Sequence, residues 1–194
     1  MDYFWGPEDT SVHFCEDKYV HSHWIAEYFN TISSIFYILV GIYFLNTRIS
    51  NLGQSLILVG IGAFVLHMTL RVYAQMLDEI SMLVLSCDAV SHIKKTSRWW
   101  SVPLIGLYLA LHEYFIYFFI VFTMTQIYLV HIGLQIARGR KRWFIIGYIT
   151  FFSIGTACWL LDQFACEYVQ EYQMHAFWHL FTSMGIGSGL LAFI

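Results

Sequence analysis

Apolar stretches close to bilayer-spanning length follow one another from residue 24 to residue 194, with only short polar segments between them. In hydrocarbon every backbone N–H and C=O must be paired inside the protein, so such a chain is limited to helices or a closed barrel. Barrel strands alternate in polarity over about ten residues, and that alternation is missing here. Only Pro7 and Pro103 stand to interrupt a helix. The chain is expected to be an all-α integral membrane protein. Its charged residues make up 12% of the chain, against roughly 25% in soluble domains. The mean hydropathy of +0.60 agrees.

Candidate spans cover residues 24–46, 51–71, 79–93, 143–161 and 174–194. Residues 99–137 exceed one span of about 20 residues, and divide near His112-Glu113 into two. The sum is a seven-transmembrane helix bundle; left undivided, residues 99–137 give six. Residues 1–194 read as one domain, without internal repeat or low-complexity tract. Residues 1–23 are polar and acidic and lack the basic start and apolar core of a cleavable signal. The first span is expected to act as the insertion signal.

Seven spans carry a prediction about charge. Let face A hold the N-terminus and face B lie opposite. Face B then holds Arg48, Lys94, Lys95, Arg98, Arg138, Arg140, Lys141 and Arg142, and face A only Lys18 and Arg71. Positive residues favour the cytoplasm, so face B and the C-terminus are expected there. Face A is lumenal or exoplasmic, in the endoplasmic reticulum or Golgi if the source is eukaryotic. It collects Asp2, Glu8, Asp9, Glu16, Asp17, Glu113, Glu167 and Glu171. The basic run at residues 138–142 reads as a cytoplasmic loop anchor, and no nucleic-acid partner is implied. Cys15 and Cys166 both fall on face A, where an oxidising compartment allows a disulfide; two free thiols are the alternative.

Polar residues converge near face A. His67 lies in His67-Met68-Thr69-Leu70, where the second span ends. Asp78 lies in Gln75-Met76-Leu77-Asp78-Glu79, where the third begins. Met174-His175-Ala176-Phe177-Trp178-His179 opens the seventh, with His175 and His179 one helical turn apart. The topology therefore brings four polar side chains to one depth, where a polar group in a membrane is a functional hypothesis by default. Three His and a water make a catalytic zinc site. Zinc lowers the pKa of its water to about 7, and Asp78 can take that water's proton or orient a ligand. The alternative is that these His cap helix ends or bridge helices by hydrogen bonds.

The other His read as structural or solvated: His13, His21 and His23 in the polar N-terminal segment, His92 at the cytoplasmic edge, His112 in a loop and His131 on the fifth span. Asp88 sits mid-span and is expected to face the interior in a structural hydrogen bond. Glu16, Asp17 and Glu27 together offer an oxygen-rich calcium site, or a simple ion pair with Lys18.

Seven pieces, in order, resemble the alkaline ceramidases, within the wider group of seven-span hydrolases that includes the adiponectin receptors. They are Trp5-Gly6-Pro7, Phe14-Cys15-Glu16, Ile25-Ala26-Glu27-Tyr28-Phe29-Asn30-Thr31, His67-Met68-Thr69-Leu70, Gln75-Met76-Leu77-Asp78-Glu79, Cys166-Glu167 and His175-Ala176-Phe177-Trp178-His179. The resemblance implies a zinc amidase that cleaves ceramide into a sphingoid base and a fatty acid. It implies His67, His175 and His179 as zinc ligands, Asp78 as the group assisting the water, and a Cys15–Cys166 disulfide. A cavity open to lipid would take two long chains.

Two positions depart from the family pattern. A Ser stands one turn before the first zinc His in the family; here that residue is Ala63. An oxyanion donor of this kind is worth about a hundredfold or more in rate. The family's calcium ligands are also depleted. His13 and Lys18 replace an Asp and an Asn, while Glu16 and Glu27 remain, and Phe14 can offer its carbonyl. Lys18 is expected to replace the ion, pairing with Glu16 and Glu27. The competing functions are a membrane hydrolase acting on another lipid, and a catalytically weak zinc protein that binds a lipid.

Overall fold

A computed structural model describes residues 4–194; Met1, Asp2 and Tyr3, and with them the acidic Asp2, lie outside the described residues. The described residues form α-helices with short 3-10 turns and no strand. In chain order the helices are α1 (Tyr28–Ser33), α2 (Ile35–Phe44), α3 (Ser50–Thr69), α4 (Val72–Lys94), α5 (Val102–Leu111), α6 (Phe115–Ile136), α7 (Arg140–Phe164), α8 (Cys166–Val169) and α9 (Met174–Leu191). Helices α3, α6 and α7 are long and apolar enough to cross a membrane, and 28–44 forms a shorter apolar run. Helices α4 and α9 fall short of that apolarity because they carry Gln75, Asp78 and Glu79, and His175 and His179.

Residues 99–137 do divide, since His112–Tyr114 interrupt the helix between α5 and α6. Three boundaries differ from the sequence reading. Helix α4 begins at Val72, so Asp78 and Glu79 lie in its second turn rather than at a span mouth. Helix α7 begins at Arg140, which puts Arg140, Lys141 and Arg142 in its first turn rather than in a loop. The first apolar stretch is broken at Ser34, where the Ser33 and Ser34 hydroxyls both donate to the Asn30 carbonyl. In the first two cases hydropathy finds the apolar part of a helix, whereas backbone pairing continues through polar ends. Serine back-bonding, which bends helices, is invisible to hydropathy.

The bundle packs most closely along α2–α3–α4 and α7–α9. Glycine makes this possible. A Cβ on Gly41 would lie 2.7 Å from the Gly53 carbonyl oxygen, and one on Gly62 would lie 2.7 Å from Asp78 Cα. Small residues at helix contacts let backbones approach in this way. The opposite flank is looser: α5 buries only Tyr108, and α6 only Phe118, Ile132 and Gly133.

The segment before α1 lies across one end of the bundle. Asp9 N–H donates to the Leu70 carbonyl, Ala26 N–H to that of Met68 and Glu27 N–H to that of His67. These bonds satisfy carbonyls that the end of α3 leaves unpaired. Arg71 pairs with Asp9 at 2.8 Å and donates to the Pro7 carbonyl. Cys15 and Cys166 form a disulfide. Mid-bundle, Asp88 accepts a hydrogen bond from Ser55, the structural role expected of it.

Candidate metal centre

The C-terminal turn of α3 and the first two turns of α9 meet beneath this N-terminal segment. They bring His67, His175 and His179 together, each less than 5% exposed. One ligand nitrogen from each lies within 4.8 Å of the others. The rings are 4.8 Å (His67–His175), 5.0 Å (His67–His179) and 4.8 Å (His175–His179) apart between centroids. None of the other six His joins this group among the described residues.

The neighbours of the rings fix which nitrogen is free. His67 Nδ1 lies 2.6 Å from Glu27 Oε2. A carboxylate only accepts, so Nδ1 carries a proton and Nε2 is the nitrogen left to bind a metal. His179 Nδ1 lies 2.8 Å from Ser33 Oγ. That hydroxyl already donates to the Asn30 carbonyl, so it accepts from His179 and again leaves Nε2 as the basic nitrogen. His175 Nδ1 has no hydrogen-bond partner, and Asp162 Oδ2 stands 3.8 Å away. Metal-binding His characteristically donate their second nitrogen to a carboxylate or other acceptor. Three buried imidazoles, two of them with Nδ1 held by an acceptor and Nε2 left to face a ligand, fit a divalent metal of the imidazole-preferring kind. The group can therefore hold a metal ion.

Glu27 links the triad to the N-terminal segment. Its Oε1 accepts from Lys18 Nζ, and its Oε2 from His67 and, at 3.1 Å, from Asn30 Nδ2. Lys18 Nζ also donates to the Phe14 carbonyl at 2.8 Å. The Phe14 ring packs edge-on against His67 and His175, at 4.7 and 4.4 Å. Glu16 turns away from Lys18 towards α1, accepting from Phe29 and Asn30 N–H at 2.7 and 2.9 Å. Burial pushes the Glu16 carboxyl above its ordinary range, and those two donors work against the rise.

The triad forms one end of a cavity of about 440 Å³, shared with Ala63, Asp78 and Glu79. Asp78 stands outside the tight His group, and its Oδ1 is buried without a hydrogen-bond partner. Away from the His, the walls are aromatic and aliphatic. They include Phe119, Ile127 and Leu160 of α6 and α7, which are also exposed on the flank of the bundle. The cavity thus approaches the outside through the loosely packed side.

Sequence reasoning missed Ser33, the Asp162 carboxylate beside His175, and the bond that His67 donates to Glu27. A lone Ser in an apolar run carries no signal. Asp162 did carry one, as a carboxylate in Trp159-Leu160-Leu161-Asp162, by the rule that flagged Asp88.

The ceramidase family model matches residues 6–194. The chain belongs to the ceramidase family. Among curated ceramidase relatives, alkaline ceramidase 3 of Mus musculus is 27% identical, over 94% of this chain and 82% of its own length. An alkaline ceramidase of Saccharomyces cerevisiae is 27% identical over 94% and 75%, and one of Arabidopsis thaliana 28% over 93% and 81%. Within this ceramidase-family chain the buried His group, the disulfide and the apolar cavity occupy one continuous region.

Proposed function

We propose that this chain is a zinc-dependent membrane amidase that hydrolyses ceramide-type sphingolipids to a sphingoid base and a fatty acid. The observation that carries the reading is the buried His67–His175–His179 group at the end of an apolar cavity, with an unpaired Asp78 oxygen on the same wall. Membership of the ceramidase family supports the substrate class. When bound by the three His, zinc supplies Lewis acidity that polarises an amide carbonyl and makes water more acidic. Glu27 and Ser33 hold two of the rings in the tautomer that binding requires. Asp78 takes the proton that leaves the attacking water and returns it to the departing amine. The apolar walls receive the two hydrocarbon chains and exclude bulk water.

The chain spans the membrane seven times, counting α1–α2 as one span. Exposed aromatic residues support this reading: Trp99 and Trp143 at one end, Tyr114, Phe164 and Tyr168 at the other, as in the belts at membrane–water interfaces. The N-terminus and metal centre lie on the lumenal or exoplasmic side, and the C-terminus in the cytoplasm.

Lys18 takes the place of calcium between the Phe14 carbonyl and Glu27, so Glu16 and Glu27 are the remnant of that site. Added calcium should leave the melting temperature unchanged; a clear rise would remove this reading. Ala63 favours a second function, a zinc-containing lipid-binding protein of low turnover, because it puts a methyl group on the cavity wall where a hydroxyl would assist the oxyanion.

Metal analysis and a panel of ceramide, dihydroceramide and phytoceramide test the main reading. The wild type should carry about one zinc per chain and release fatty acid. His175→Ala should lose both metal and turnover. Zinc without turnover of any panel member would leave the second function standing.

A further inference from the structure

The cavity beneath the His group ends on a wall that mixes apolar side chains, among them Val59, Met82, Phe122 and Phe152, with hydrogen-bonding ones. A second cavity of about 80 Å³ continues from it towards the other end of the bundle, and Tyr37, Gln126 and Tyr148 line both. At this boundary five helices contribute hydrogen-bonding side chains. Gln126 of α6 donates to Ser86 of α4 at 2.8 Å and accepts from Tyr148 of α7 at 2.6 Å. Tyr37 of α2 and Thr182 of α9 share a bond of 2.6 Å. In each set one partner, Ser86 or Thr182, lines only the second cavity. The bonds therefore straddle the division between the two spaces. Below them the second cavity is again apolar, with Leu85, Ala89 and Ile186 in its wall.

We infer that the Ser86–Gln126–Tyr148 hydrogen-bonded set is the floor of the lipid cavity and fixes the longest hydrocarbon chain that this protein accepts. This inference rests on the proposed lipid amidase reading and specifies its selectivity. A methylene chain offers no hydrogen bond. A chain end that pushes between Gln126 and its partners therefore breaks polar contacts that it cannot replace, and buried polar groups left unpaired are costly. The second cavity stays closed to such a chain although its walls would welcome it. Gln126 sits on the loosely packed α6, so this set also ties that helix to α4 and α7 at the depth where the chain must stop.

The test uses the full-length protein in lipid nanodiscs and measures two quantities across ceramides of increasing acyl length. One is competition against a fluorescent fatty acid, the other turnover. Wild-type affinity should rise with length and then fall. Gln126→Ala should move the fall to longer chains, each newly buried methylene tightening binding by about fourfold. Tyr148→Phe, which keeps the shape of the wall, should shift it less in the same direction. Ala89→Leu, which fills the second cavity, should cancel the gain in the Gln126→Ala background. A profile that neither variant moves overturns the floor. So does a gain that Ala89→Leu leaves intact, because that would be general loosening. Failure of the amidase reading shows separately, as no turnover of any ceramide by the wild type, and leaves the binding profile to decide the floor.

Discussion

On one flank, α7 and α9 approach so closely that a Cβ on Gly155 would lie 2.7 Å from Thr182 Cγ2. On the other, a Cβ on Gly106 in α5 would meet nothing within 4 Å. The close flank, together with α3, carries the three His, and α1 with the residue before it carries their partners Ser33 and Glu27. The loose flank carries none of them and supplies Phe115, Phe118, Phe119 and Phe122 to the aromatic cavity wall. The difference separates two requirements that conflict. Metal ligands need fixed positions, and a long apolar substrate needs a way in from the side. Under the proposed function, this division keeps His67, His175 and His179 off the helix whose exposed side chains flank the cavity.

Three substitutions bear on this division, in descending order of effect. Replacing both Cys15 and Cys166 with Ser should lower stability by about 2–4 kcal/mol, read from thermal unfolding. The bridge joins the N-terminal segment to the close flank over a sequence separation of 151. Melting like the wild type would mean that the flank's rigidity owes nothing to this bridge. Gly62→Ala should cost about 1–3 kcal/mol, the usual penalty of overpacking. It should also lower turnover, since the new methyl meets the backbone of Asp78 itself. Unchanged stability there would show that α3 and α4 can separate, and the contrast between flanks would weaken. Gly106→Ala should be neutral or stabilise by up to about 1 kcal/mol, the helix-propensity gain of alanine, with turnover unaltered. A marked loss would show that α5 is packed after all.

Much of the helical layout was legible because apolar runs and their interruptions decide where helices can lie in a bilayer. The break at His112-Glu113 and the meeting of His67 with His175 and His179 followed from that layout. The start of α4 at Val72 did not, because Gln75, Asp78 and Glu79 depress hydropathy without stopping a helix. Nor did the bonds that His67 donates to Glu27 and His179 to Ser33. They join residues 40 and 146 positions apart, and which hydroxyl or carboxylate meets which ring depends on helix rotation. Lys18 was expected to pair with both Glu16 and Glu27. Glu16 instead caps α1, whose first N–H groups would otherwise lack acceptors.

The N-terminal segment supplies N–H donors to the carbonyls of His67, Met68 and Leu70, and it is bridged to Cys166 just ahead of α9. During synthesis the segment emerges first, α3 later and α9 last. The final turn of α3 thus meets a segment already made, whereas the bridge waits for a cysteine made long after. A nascent chain lacking residues 174–191 holds His67 but neither of its two partners. Under the proposed function, a metal bound by all three His would therefore be acquired late in biogenesis, and its binding would report that the whole bundle has come together.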